Sequence, residues 1–212
     1  MCEGPGIYPE SAGAQGLELR GLGLDSAQGM GNSSWKTLCP MTTLASNMCE
    51  IRSMTGADIE ACSSLSVAAR KDSWESLEKS FYPRDKFEEE LLLYSPESLE
   101  KFTDTPGLFS FVAVEGKEVR GCVLGKIDAD GGIGDIGWLF VVKDMRGRGI
   151  AGRLIEAASK RASDSGCHKI IAFTMKALPE ANKMYRRYGF DMEGDFPRHW
   201  MKIDFVQYGK QL

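Results

Sequence analysis

The chain has 212 residues, 42% of them hydrophobic and 26% charged, with a formal net charge of −4. That balance suits a soluble protein with a real core and excludes attachment to nucleic acid by general electrostatics, which needs a clustered basic face. No apolar run approaches the roughly 18–20 residues that cross a bilayer, and the start of the chain lacks the charged-then-apolar pattern of a signal peptide, so the expectation is a cytoplasmic protein with neither a membrane nor a nucleic-acid partner.

Residues 1–48 are rich in Gly, Ser and Ala and poor in periodic hydrophobics. Such a composition buries too little apolar surface to offset ordering entropy, so it reads as a poorly ordered tail ahead of a single domain over 49–212. Met41 and Met48, just before the first patterned segment, offer alternative starts. The six cysteines (Cys2, Cys39, Cys49, Cys62, Cys122, Cys167) show no CxxC spacing, which points to free thiols in a reducing compartment and to no metal site.

From Cys49 the pattern tightens. CEIRSM reads as a short strand, and TGADIEACSSLSVAARKD as a helix capped by Thr55 or Asp58, with Ile59, Cys62, Leu65 and Ala69 at helical spacing. Residues 73–103 read as short helices broken at Pro83 and Pro96, with Phe87, Leu91 and Tyr94 on one face. The run Glu88-Glu89-Glu90 reads as a solvated helix face. LFSFVAVEG and KEVRGCVLGKIDA form a hairpin turning at Glu115-Gly116-Lys117. DADGGIG is a second turn and DIGWLFVV a third strand, continuously apolar from Trp138 to Val142 as a strand covered on both faces would be. A helix then runs to about Ser165 with Gly166 as its stop. HKIIAFTM is a strand, LPEANKMYRRYG a helix, and GFDMEGD and WMKIDFVQYGKQL two last strands. The class is a mixed α/β sheet.

The junction FVVKDMRGRGIAGRLIEAASKRA, residues 140–162, interleaves Gly147, Gly149 and Gly152 with Arg146, Arg148 and Arg153. Glycine is costly inside regular structure, so a cluster here has a geometric reason. One reading is a tight turn with nothing bound. The other is a cradle: the first amides of the helix lack partners and, with the positive end of the dipole, suit a phosphate or pyrophosphate. A P-loop is excluded because no Lys-Ser or Lys-Thr pair follows. Gly147, Gly149 and Gly152 match G-x-G-x-x-G literally, but the acidic residue expected to close a second strand is missing. Arg146-x-x-Gly149-x-Ala151 fits as well.

With that loop between an apolar strand and an amphipathic helix, and ANKMYRRYGF about 35 residues later, the chain resembles the Gcn5-related N-acetyltransferase (GNAT) family. That family carries [QR]-x-x-G-x-[GA] at its acetyl-CoA loop and a later A-x-x-x-Y-x-x-x-GF. The resemblance covers roughly residues 50–212 and is strongest from 135 to 190. It implies an acyl-CoA N-acyltransferase fold: a mixed, mostly antiparallel twisted sheet with flanking helices. It implies acetyl-CoA as co-substrate, held by backbone groups of Leu139, Phe140 and Val141 along the pantetheine arm. Arg146, Gly147, Arg148, Gly149, Ile150, Ala151 and Gly152 would hold the pyrophosphate. The acetyl-CoA would enter a splayed gap between strands 135–142 and 168–175, with the Val141 amide on the developing oxyanion.

By the same resemblance Tyr185 would protonate the departing thiolate and Asp135 would take the amine's proton through water. Phe81 and Tyr82 would lie near the acceptor wall. The family's asparagine seven residues before its tyrosine is replaced by Leu178, with Asn182 out of register. The acceptor is a primary amine of a small molecule or a protein, a homodimer is compatible with the reading, and His168 and His199 read as a strand-end and a loop residue. Two alternatives stay open: a catalytically silent CoA-binding module, and a nucleotide-binding enzyme using the same glycines.

Overall fold

In the computed structural model, which describes residues 49–212, the first element is the strand β1 (Glu50–Ser53). The expectation for residues 1–48 lies outside the described residues. Helix α1 (Ile59–Ser73) starts behind an acidic clasp. The Asp58 carboxylate accepts from the Thr55 amide (2.9 Å) and hydroxyl (2.7 Å) and from both Arg52 Nη atoms (2.7 and 2.8 Å). That guanidinium holds the Asp58 carboxyl well below the usual carboxylate range.

A lowered folded pKa stabilises above the unfolded value of roughly 4 and loses that contribution as pH falls through the folded one. Asp58→Asn is therefore expected to cost about 1 kcal/mol at pH 7, Arg52 being partly exposed, and progressively less below pH 4. Thermal unfolding of both proteins across pH 2–7 checks this; equal offsets at every pH would count against it.

After α1 the chain makes one π-helical turn (Trp74–Glu78). Helix α2 (Arg84–Leu91) follows Pro83, and α3 (Pro96–Asp104) has Pro96 in its first turn and Ser95 as its cap. Both prolines stand where a missing amide costs nothing. Strands β2 (Leu108–Glu115) and β3 (Glu118–Asp128) form the hairpin, turning at left-handed Gly116. β4 (Ile133–Val141), α4 (Ile150–Asp164), β5 (Lys169–Met175), α5 (Pro179–Arg187), β6 (Asp191–Phe196) and β7 (Phe205–Gln211) complete the order.

The strands make one seven-stranded sheet in the order β1-β2-β3-β4-β5-β7-β6. Only β4 and β5 are parallel neighbours among the described strands, as the α4 crossover between them requires. Alternation along the strands splits the core into two layers. Val112, Cys122, Leu124, Trp138 and Phe140 face α1 and α3. Ala113, Val123, Ile136, Leu139 and Val141 face α4 and α5.

Two local expectations change. The stripe of α1 ends on buried Arg70 rather than on Ala69. The last strand begins only at Phe205, because Trp200–Lys202 form a tight turn with left-handed Met201 and Lys202. The Asp204 carboxylate closes that loop by accepting from the Arg198 amide (2.7 Å), and the His199 amide donates to the Ile203 carbonyl (2.9 Å).

Candidate functional site

The pairing of β4 with β5 stops early. It runs from Ile133–Lys169 to Ile136–Ala172, although β4 continues to Val141 and β5 to Met175. The cause sits at Gly137. Leu124 pairs with Trp138 and Gly125 with Ile136, so Gly137 is an inserted residue on β4. Such a bulge bends its strand and sharpens its twist. Past it, Trp138–Val141 remain paired to β3 alone and are only half-buried, which is why an apolar run covered on both faces is still open along one edge.

Which backbone groups face that edge follows from the ladder. The Val142 amide donates to the Arg120 carbonyl (3.0 Å) on the β3 side, whereas the Val141 carbonyl accepts from Arg146 Nε (3.1 Å) on the other. Alternation therefore turns the amides of Val141 and Leu139 into the gap and those of Phe140 toward β3. Phe140 instead contributes its ring, edge-on to Tyr94 at 5.4 Å.

At the open end of β4 the chain turns through Lys143–Met145 into α4. Gly149 caps α4 in the left-handed region (φ 81°) with no side chain bonded to the helix end, and Gly147 is left-handed as well (φ 78°). A Cβ at either would meet open space, so conformation, not crowding, demands glycine there. The amides from Gly147 to Gly152 have no acceptor among the described residues; the helix ladder starts with Arg153 donating to the Gly149 carbonyl (3.2 Å). These outward amides are the orphan donors to which an anion binds.

The other loop residues divide by role. Ile150 buries its side chain in the core. Gly152 is glycine because a Cβ would collide with the Tyr188 ring. Arg146 is turned back to the Val141 carbonyl and to Asp72 (3.6 Å), where Lys143 also pairs (3.0 Å). Arg148 is exposed and makes no hydrogen bond or ion pair with the described residues.

Tyr185 comes from α5, which is bolted to the sheet by Asn182. Its Nδ2 donates to the carbonyls of Met175 (3.1 Å), Lys176 (3.3 Å) and Leu178, and its Oδ1 accepts from the Tyr208 hydroxyl (3.0 Å). The out-of-register asparagine is thus a structural clasp that the sequence reading did not assign. Its signal was its place one turn before the tyrosine. Tyr185 then stacks on Tyr208 (5.5 Å) and meets Phe190 edge-on (5.4 Å).

Its hydroxyl has no hydrogen-bond partner among the described residues and is not one of the buried atoms sealed from solvent, so it opens on accessible space. Burial, and then the charge of Asp135, push its pKa up. Asp135 lies on β4 opposite Lys126 (3.8 Å) and is itself pushed up by burial, against the opposing pull of that lysine. One group is thereby kept protonated at neutral pH and the other made a stronger base.

Beyond the end of β5 a cavity of about 590 Å³ is lined by Phe81, Lys176, Ala177, Met201, Lys202, Ile203 and Asp204. Next to it the acidic run of α2 divides. Glu88 and Glu89 pair on the surface with Arg84 and Lys86, but Glu90 turns inward to Arg70 (2.8 Å). The solvated-face expectation fails there because helix rotation points every third or fourth residue at α1. His168 donates its amide to the Gly132 carbonyl (2.9 Å), and the His199 ring packs on Phe173 and Phe196; neither side chain lines the cavity.

The family described as "Acetyltransferase (GNAT) family" matches residues 71–190. An L-methionine sulfoximine/L-methionine sulfone acetyltransferase of Pseudomonas aeruginosa is 28% identical over 75 residues, 32% of this chain and 44% of that protein. N-alpha-acetyltransferase 30 of Schizosaccharomyces pombe is 35% identical over 85 residues, 39% and 57% of the two chains. The chain spans about half the length of these curated relatives. Among solved structures, PaiA N-acetyltransferase from Thermoplasma acidophilum, in complex with coenzyme A, superposes with a TM-score of 0.63 at 16% identity, covering 77% of this chain and 98% of that one. It shares the fold.

Proposed function

The chain belongs to the GNAT acetyltransferase family, and from that premise we propose that it transfers the acetyl group of acetyl-CoA to a primary amine by direct attack on the thioester. The observation that carries this reading is the run of amides from Gly147 to Gly152, unpartnered among the described residues, at the mouth of a gap where β4 and β5 part after Ile136 and Ala172. A diphosphate fits the first feature and an extended arm fits the second. The relatives named as acetyltransferases, and the coenzyme A held by a protein of the same fold, support the same assignment.

In this mechanism the gap-facing groups of Leu139 and Val141 hold the pantetheine arm as a neighbouring strand would, while the Phe140 ring backs the strand. Arg148 adds charge at the rim of the loop. The amine nitrogen bonds to the thioester carbon, the Val141 amide donates to the oxygen as charge develops on it, and the carbon–sulfur bond breaks. The Tyr185 hydroxyl gives its proton to the leaving thiolate. Asp135 accepts the proton lost by the amine, relayed through water.

The test is mass spectrometry of small molecules carried through purification, then thiol release from acetyl-CoA against a panel of primary amines. Coenzyme A in the preparation and amine-dependent thiol are expected; binding without any thiol release points to a silent CoA-binding module. Gly149→Asn sharpens the test, because asparagine tolerates the left-handed region while its side chain enters the space before the amides. Affinity for coenzyme A is expected to fall by about tenfold or more with the fold kept, as read by calorimetry. Unchanged affinity would remove the loop from the site.

A further inference from the structure

Glu90 lies away from the groups assigned to chemistry, yet it joins two parts of the site. Its Oε1 accepts from Arg70 Nε (2.8 Å) and the Tyr94 hydroxyl (2.7 Å), and its Oε2 from Arg70 Nη2 (3.0 Å) and the Tyr82 hydroxyl (2.9 Å). The two tyrosines, both buried, lead in opposite directions. Tyr94 meets Trp138 (5.3 Å) and Phe140 (5.4 Å) edge-on, on the stretch of β4 that borders the gap. Tyr82 directly follows Phe81 of the cavity wall and meets Trp200 edge-on at 6.4 Å. Trp200 begins the turn that supplies Met201, Lys202 and Ile203 to the same cavity, and it is 49% exposed.

Neutrality does not require this carboxylate. Arg70 already pairs with fully buried Glu78 at 2.7 Å, so Glu90 adds a second negative charge to one guanidinium, in a place where desolvation is costly. What it adds is a fixed separation between cavity and gap. We propose that Glu90 is a positioning residue for the acceptor: through Tyr82 it sets the Phe81 wall and the loop over residues 197–204, and through Tyr94 it references both to β4, so that an amine held in the cavity is aimed at the gap. The proposal rests on the acetyl-transfer reading above.

Glu90→Gln keeps the size of the side chain and leaves Arg70 and Glu78 as a one-to-one pair, so the fold is retained; Tyr82→Phe removes only the bond on the cavity side. Both are expected to raise the KM for the acceptor about tenfold or more, with kcat at saturating amine within about threefold of the parent. Coenzyme A affinity, by calorimetry, stays unchanged. An unchanged acceptor KM overturns the proposal, as does a parallel loss of kcat, coenzyme A affinity and melting temperature, the signature of a merely structural role.

A second readout needs no activity. Amide hydrogen exchange over residues 197–204 is expected to speed up about tenfold in Glu90→Gln while α4 is unchanged. Unaltered exchange in that loop also overturns the proposal. Absence of thiol release from the parent protein, by contrast, counts against the acetyl-transfer reading and leaves the exchange result to decide on Glu90.

Discussion

Replacing Tyr185 by phenylalanine is expected to lower kcat by about 100-fold, the low end of what a positioned general acid contributes. The variant is a clean probe because the hydroxyl bonds to none of the described residues, whereas the ring, stacked on Tyr208 and set edge-on to Phe190, keeps its packing. Coenzyme A affinity and melting temperature should therefore stay close to the parent values. Burial and Asp135 hold the phenol protonated well above neutrality. The lost step is thus proton donation to the leaving thiolate, and a more acidic thioester leaving group should recover part of the rate. Steady-state thiol release with acetyl-CoA, and with an acetyl thioester of a more acidic thiol, measures both. A kcat within about threefold of the parent would remove Tyr185 from the chemistry.

The largest loss of stability is expected at Arg70. Its Nε and Nη2 donate to Glu90 and its Nη1 to Glu78 (2.7 Å), and its guanidinium lies 5.0 Å over the Tyr82 ring and 5.4 Å over that of Phe87. Arg70→Met fills similar space but leaves two carboxylates without their counter-charge, one of them fully buried. Breaking such a cluster from one side costs about 3–5 kcal/mol. For a domain of this size that lowers the melting temperature on the order of 10 °C. Adding Glu78→Gln and Glu90→Gln to the same chain should restore at least about half of the loss, because the penalty comes from the stranded charges. Denaturant unfolding of the single and triple variants decides: a loss below about 1 kcal/mol in the single variant would show that the cluster is not what holds α1 to α2.

Much of the fold was legible because its signals are local. The hairpin at Gly116 and the stop of α4 at Gly166 were placed by turn chemistry, and both glycines are left-handed. The two prolines marked the breaks between the short helices for the same reason. The last strand starts later than its pattern suggests, because Met201 to Phe205 alternate apolar and polar as a strand would. The carboxylate of Asp204, bonded to the Arg198 amide, folds that stretch into a loop instead, and no pattern within WMKI announces it.

Gly147, Gly149 and Gly152 looked alike in the sequence and differ in cause: two are set by a left-handed backbone facing open space, the third by the ring of Tyr188, 36 positions away. Glu88, Glu89 and Glu90 are identical letters, of which one turns inward to a partly buried ion cluster. Leu139, Phe140 and Val141 were read as equivalent, but an inserted residue at Gly137 fixes which of them turn their backbone groups toward the gap.

By itself the sequence determined the order of strands and helices, the glycine loop and the family, since periodicity, turn preference and motif spacing act between neighbours. Tertiary structure alone decided how far β4 and β5 stay paired, which of Glu88, Glu89 and Glu90 turns inward, and which amides lack partners among the described residues. Those outcomes depend on what distant segments bring to the same place, and no local pattern encodes that.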